Sequence, residues 1–205
     1  MSSKRDNKWA SRTVGSGRSK ADRVKSLDGY HTPRVAIEHL LRHVRLNRNI
    51  WEPANGFHRI SRILEASGYR VATSDVHRWC RGTQVVKDFR LFTDRTKPFR
   101  RSGCDIVTNP PFVLAQDFVE HAMSLLRPGG RLCLLLRLQF LEGSKRYKMY
   151  HRYPPARVFV FSGRLPFMHA FNYKGKKSGK GMLAFAWFVW EKGFRGKTVI
   201  EWIDS

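Results

Sequence analysis

Four consecutive residues, Asn109-Pro110-Pro111-Phe112, put an amide, two proline carbonyls and an aromatic ring directly after the apolar run Cys104-Asp105-Ile106-Val107. The prolines fix their own φ and keep the residue before each of them out of the helical region, so the segment is extended and stiff. The Asn109 amide oxygen and the Pro110 carbonyl can then face outward side by side. Two such acceptors fit the two hydrogens of an exocyclic amino group, and they turn its lone pair toward an electrophile held next to it. Phe112 supplies a flat face for a planar target.

This chemistry needs a scaffold that brings several turns to one place. Trp51-Glu52-Pro53-Ala54-Asn55-Gly56 follows a short apolar stretch and precedes Ile60, Ile63 and Leu64 at helical spacing, the pattern of a strand, a tight turn and a helix. Gly68 ends that helix, Val71 to Asp75 reads as a second strand, Gln84-Val85-Val86 as a third and Cys104 to Val107 as a fourth. A helical stripe of Phe118, Ala122, Leu125 and Leu126 stops at Arg127-Pro128-Gly129-Gly130, and Leu132 to Leu136 makes a doubly buried fifth strand. Val158 to Phe161 and Leu183 to Val189 close the sheet, joined by a long loop at 163–182 rich in Gly, Lys and aromatics. At the front, Thr32 can cap a helix that begins at Pro33 and carries Ile37, Leu40, Leu41 and Val44 on one face. The alternation predicts an α/β Rossmann-like fold, a mainly parallel sheet of seven strands with helices on both faces. In such sheets ligands sit beyond the carboxyl ends of the strands, where Glu52 to Gly56, Asp75 and Asn109 all fall. Gly56 lets backbone approach a ligand, and Asp75 can accept hydrogen bonds from a ribose.

The chain of 205 residues suits one core, and its 41% hydrophobic and 13% aromatic content is that of a folded domain. Its formal charge of +23 points to a polyanionic partner. Residues 1–28 hold eight Lys or Arg against three Asp, leaving +18 on the remainder. They read as a flexible basic arm, with a single domain over 29–205. No apolar run approaches the ~18 residues of a membrane span, and no signal-peptide core precedes the domain, so a cytoplasmic chain without membrane contact is expected. Cys80, Cys104 and Cys133 lack metal-ligand spacing and read as reduced core thiols. His39 and His43 lie four apart but without the pattern of a zinc helix, and Trp187, Trp190 and Trp202 read as core or sheet-face residues.

Over residues 30 to about 190 the sequence resembles the class I S-adenosylmethionine-dependent amino-methyltransferases, and among them the N6-adenine methyltransferases of small phage and prophage type. Asn109-Pro110-Pro111-Phe112 is similar to that family's catalytic tetrapeptide, and Tyr30-His31-Thr32-Pro33 to its Tyr-x-Thr-Pro segment at the methionine end of the cofactor. The resemblance implies that Tyr30, Thr32, Pro33, Glu52, Pro53, Ala54, Asn55 and Gly56 hold S-adenosyl-L-methionine, with Asp75 on its ribose and Asp88-Phe89 on its adenine. No metal is called for. The substrate it implies is adenine N6 in nucleic acid, DNA ahead of RNA, with a protein glutamine amide or a catalytically silent nucleic-acid-binding protein as the other readings. Two departures stand out. Where the family loop continues Gly-x-Gly, this chain has Gly56-Phe57-His58, and it has no room for a separate target-recognition domain. Substrate contacts are therefore expected from 139–182, where Arg146, Arg164, Lys174, Lys176 and Lys177 are interleaved with aromatics.

Overall fold

The computed structural model describes residues 31–166 and 183–204. The expected basic arm, Tyr30, Lys174, Lys176 and Lys177 lie outside these. Helix α1 (Arg34–His43) leads into β1 (Asn49–Glu52), α2 (Arg59–Ala66), β2 (Arg70–Asp75) and the short β3 (Val85–Val86). Then come β4 (Asp105–Thr108), α3 (Ala115–Leu125), β5 (Arg131–Arg137), α4 (Tyr147–Arg152), β6 (Arg157–Phe161), β7 (Phe185–Glu191) and β8 (Val199–Ile203). The strands form one sheet in the order β3-β2-β1-β4-β5-β7-β6-β8. Pairing is parallel from β3 to β5 and between β6 and β8; β7 runs antiparallel to both its neighbours.

The seven expected strands are present, and an eighth, β8, extends the sheet beyond β6. Sequence reading passes over β8 because only one of its five residues, Ile203, is buried; Val199, Ile200 and Trp202 stay exposed on this edge. Trp187 and Trp190 are fully buried, whereas Trp202 is 74% exposed.

Side-chain alternation along the central strands builds two cores. Cys133 and Leu135 of β5 and Trp187 of β7 join Ile37, Leu40, Ile60 and Leu64, so α1 and α2 cover one face. Leu132, Leu134 and Leu136, with Phe188 and Trp190, join Phe118, Val119 and Ala122, so α3 covers the other. Buried indoles need an acceptor for their N–H. Trp187 donates to the Ala36 carbonyl at 2.7 Å and Trp51 to Ser74 Oγ at 2.9 Å. The three cysteines are unpaired, and burial pushes the Cys104 thiol up to about 12.

Thr32 departs from its expected role. Helix α1 starts one residue later, at Arg34, with Pro33 in the cap position and no side-chain cap bond. The Thr32 hydroxyl, buried, is committed instead to Asn109.

Candidate active site

The turns after β1, β2 and β4 converge at one end of the sheet and are tied together by hydrogen bonds, and Arg137 at the end of β5 meets Phe112 there. Asn55 N donates to the Ser74 carbonyl at 3.3 Å, and Gly56 N to Asp75 Oδ2 at 2.9 Å. Thr108 Oγ1 lies 3.5 Å from the Ala54 carbonyl, which hangs the same loop from the end of β4.

Glu52 is 1% exposed and its Oε2 accepts from Ser61 N, in the first turn of α2, at 2.9 Å. An acceptor there satisfies one of the backbone N–H groups that a helix start leaves open. Burial drives the carboxyl well above its ordinary range, against the opposing pull of the Ser61 hydrogen bonds. The folded chain therefore holds a proton that the unfolded chain releases once pH passes the ordinary carboxylate value, so this group lowers stability as pH rises through that window. Glu52→Gln keeps an acceptor for Ser61 and removes the titration. The melting temperature of the variant is expected to gain on that of the native chain as pH rises above the ordinary carboxylate range. A difference that stays flat with pH contradicts this reading of Glu52.

Asp75, 5% exposed, accepts from Gly56 N through Oδ2, and through Oδ1 from His77 N at 2.9 Å and Trp79 Nε1 at 3.1 Å. An ionised carboxylate has about four lone-pair sites, so three donors leave capacity for a ligand hydroxyl.

His58, where a glycine was expected, adopts φ 61 and ψ 30, the left-handed conformation a glycine would take. Holding a residue that bears a Cβ in this conformation costs roughly 1–2 kcal/mol. The ring is buried, which lowers its pKa. Its nitrogens lie 3.0 and 3.1 Å from Asn55 Nδ2, with Nδ1 3.2 Å from Ser61 Oγ. Asn55 Oδ1 is buried without a partner.

At the end of β4, Asn109 Nδ2 donates to Thr32 Oγ1 at 3.2 Å, whereas its Oδ1 is buried and has no partner. Pro110 is buried; Pro111 and Phe112 are half-buried, and Phe112 opens a short 3₁₀ turn (Phe112–Leu114) ahead of α3. One face of the Phe112 ring is covered by the Arg137 guanidinium, 4.5 Å from the ring centroid. Phe185 packs at 5.9 Å.

One expected role needs correction, and two other expected site residues have partners within the fold. Phe89 offers no ring face to a cofactor: it is 2% exposed and packed against Trp51, Phe118 and His121. Its apolar ring is worth more in the core than at the surface. Asp88 caps the 3₁₀ turn Phe89–Leu91 and pairs with Arg90 at 2.6 Å, and that hydrogen bond holds its carboxyl below the usual range. Arg146, read as a substrate contact, donates to the carbonyls of Phe140 and Glu142 and lies over the Phe140 ring. It clamps the segment between β5 and α4. Arg164 is exposed.

Two contributors escaped the sequence reading. Trp79 holds Asp75 from four residues away, a spacing that marks nothing in an irregular loop. Arg137 ends β5 and so sits where the strand-end rule directs attention. Among the described residues there is no group of three His, Cys, Asp or Glu able to hold a metal ion, and no helix is long and apolar enough to cross a membrane. His39 and His43 pack against Phe161 and Phe159.

No protein-family model matches the chain, and no curated protein matches it in sequence. Solved structures do resemble it. A Listeria monocytogenes protein provisionally assigned as a class I S-adenosylmethionine-dependent methyltransferase superposes with a TM-score of 0.54 at 14% identity, over 88% of this chain and 64% of its own. A Pyrococcus horikoshii protein provisionally assigned as an RNA methyltransferase gives 0.56 at 13%, over 83% and 89%. A chain from a type I R-M system gives 0.57 at 13%, over 90% of this chain and 46% of its own. With the strand order above and β7 reversed between β5 and β6, the chain has the Rossmann-like fold of the class I methyltransferases.

Proposed function

We propose that this chain transfers the methyl group of S-adenosyl-L-methionine to an exocyclic amino group, adenine N6 in nucleic acid, with DNA the preferred polymer. The observation that carries this reading is the Asn109 Oδ1 atom, a buried acceptor without a partner beside the Pro110 carbonyl at the carboxyl end of β4. An unsatisfied buried acceptor costs free energy, and a ligand amine would satisfy it. The Thr32 hydroxyl takes the other end of the amide, which aims the oxygen.

The loop from Pro53 to Gly56, held by Asp75 and flanked by Glu52, suits the cofactor: it offers backbone beside a carboxylate with spare acceptor capacity. When bound there, the cofactor supplies a sulfonium methyl, a strong electrophile that needs no metal and no covalent enzyme intermediate. The protein's part is positional. Asn109 and Pro110 fix the amine through its two hydrogens so that its lone pair points away from them, and the same two acceptors stabilise the positive charge that develops on nitrogen. Phe112 follows this pair in the chain, with Arg137 over its ring.

The charge of +23 favours nucleic acid over protein as the carrier of that amine. A duplex would have to release the adenine from its stack. Label transfer from [methyl-³H] cofactor to DNA, RNA and protein, followed by nucleoside analysis, tests the proposal. Label in DNA recovered as N6-methyladenine is the expected result. Label in RNA reassigns the polymer, and the absence of label from all three overturns the reading.

A further inference from the structure

Arg137 closes β5 at the end of the sheet where Asn109 and Asp75 lie, yet its charge is unused in the chemistry above. Its strand partner across the antiparallel ladder is Phe185, which also packs against Phe112. The residue is half-buried, and its Nε is buried without a hydrogen-bond partner. None of the ion pairs among the described residues includes it.

Other partly buried arginines of this protein are matched. Arg146 has backbone carbonyls, and Arg131 has the Arg45 carbonyl and Glu191. Arg137 instead has its guanidinium over the Phe112 ring, and no hydrogen bond or ion pair among the described residues takes up its donors. Those donors form a rigid fork suited to two oxygens on one centre. A phosphodiester presents two such oxygens. An adenine edge presents ring nitrogens singly, and one of them stands beside the amine that Asn109 would already hold.

We infer that Arg137 binds a backbone phosphate of the nucleotide whose base enters beside Asn109, with Phe112 orienting the guanidinium. This rests on the proposal that nucleic acid is the substrate. The contact makes Arg137 an anchor that sets how deep the target nucleotide sits.

Two measurements test it on the full chain. The first is the salt dependence of binding to a mixed-sequence DNA duplex in the presence of S-adenosylhomocysteine. Arg137→Gln is expected to bind about tenfold more weakly at low salt, with the slope of log K against log salt shallower by about one. Arg137→Lys, which keeps the charge and loses the fork, should keep the slope; Arg137→Met, which also removes the charge, serves as the second variant if Arg137→Gln folds poorly, and the same shallower slope is expected of it. The second measurement scans single uncharged methylphosphonates through an oligonucleotide that accepts methyl. One position next to the methylated adenine should slow the native enzyme about tenfold and leave Arg137→Gln unaffected. An unchanged slope overturns the inference. So does a shallower slope without any such position, since the contact would then lie elsewhere on the backbone. If no nucleic acid accepts label, the broader proposal fails, while the slope still reports on Arg137 independently.

Discussion

Asn109→Ala is expected to lose methyl transfer by roughly 10²- to 10³-fold or more in a single-turnover assay, with cofactor affinity nearly unchanged by calorimetric titration. The split follows from position. Asn109 bonds to Thr32 and to none of the residues that hold the loop from Pro53 to Gly56, which hangs on Asp75, Ser74 and Thr108. Removing the amide therefore leaves the loop from Pro53 to Gly56 intact and removes the acceptor that aims the amine. Thr32 is left with one fewer partner, a change of about 1 kcal/mol in stability and not in chemistry. Turnover within tenfold of the native enzyme would sink the assignment. So would a parallel loss of cofactor binding, because the residue would then be holding the fold of the site.

Asp75→Asn is expected to destabilise the chain by roughly 2–3 kcal/mol and to weaken S-adenosyl-L-methionine binding well beyond tenfold. The carboxylate serves three donors on two oxygens, Gly56 N on one and His77 N with Trp79 Nε1 on the other. An amide has one oxygen. Whichever way it is set, its NH₂ faces either the Gly56 N–H or the His77 and Trp79 donors, and a buried donor loses its acceptor. The loop that Gly56 belongs to and the segment carrying Trp79 would loosen together. Denaturant unfolding gives the first quantity and calorimetry the second. A variant as stable as the native chain would show that these hydrogen bonds contribute little, and unchanged cofactor affinity would separate Asp75 from the cofactor altogether.

Much of this was legible in the residues because it depends on local pattern. The run from Leu132 to Leu136 is buried on both faces, so it announces a central strand without regard to its neighbours. The turns containing Gly56, Asp75 and Asn109 fall at strand ends, and in a parallel sheet that position is itself the site rule. Strand β8 was not legible: its exposed Val199, Ile200 and Trp202 carry no burial pattern, and only pairing with β6 makes it a strand. Phe89 looked like a ligand-facing ring because sequence cannot tell which aromatic turns inward; its packing on Trp51 and Phe118 decides that.

The tetrapeptide Asn109 to Phe112 combines local and tertiary determinants. Its residue types alone set a stiff segment that carries an amide and a carbonyl on successive residues, since proline geometry is local. Only the tertiary structure decided that Thr32, 77 positions earlier, would take the amide's hydrogen and leave its oxygen buried without a partner. The same holds for Arg137, laid across Phe112 by the order of strands β4 and β5 in the sheet. Contacts between residues so far apart in the chain exist only once the sheet has brought their strands together, and no spacing in the sequence encodes them.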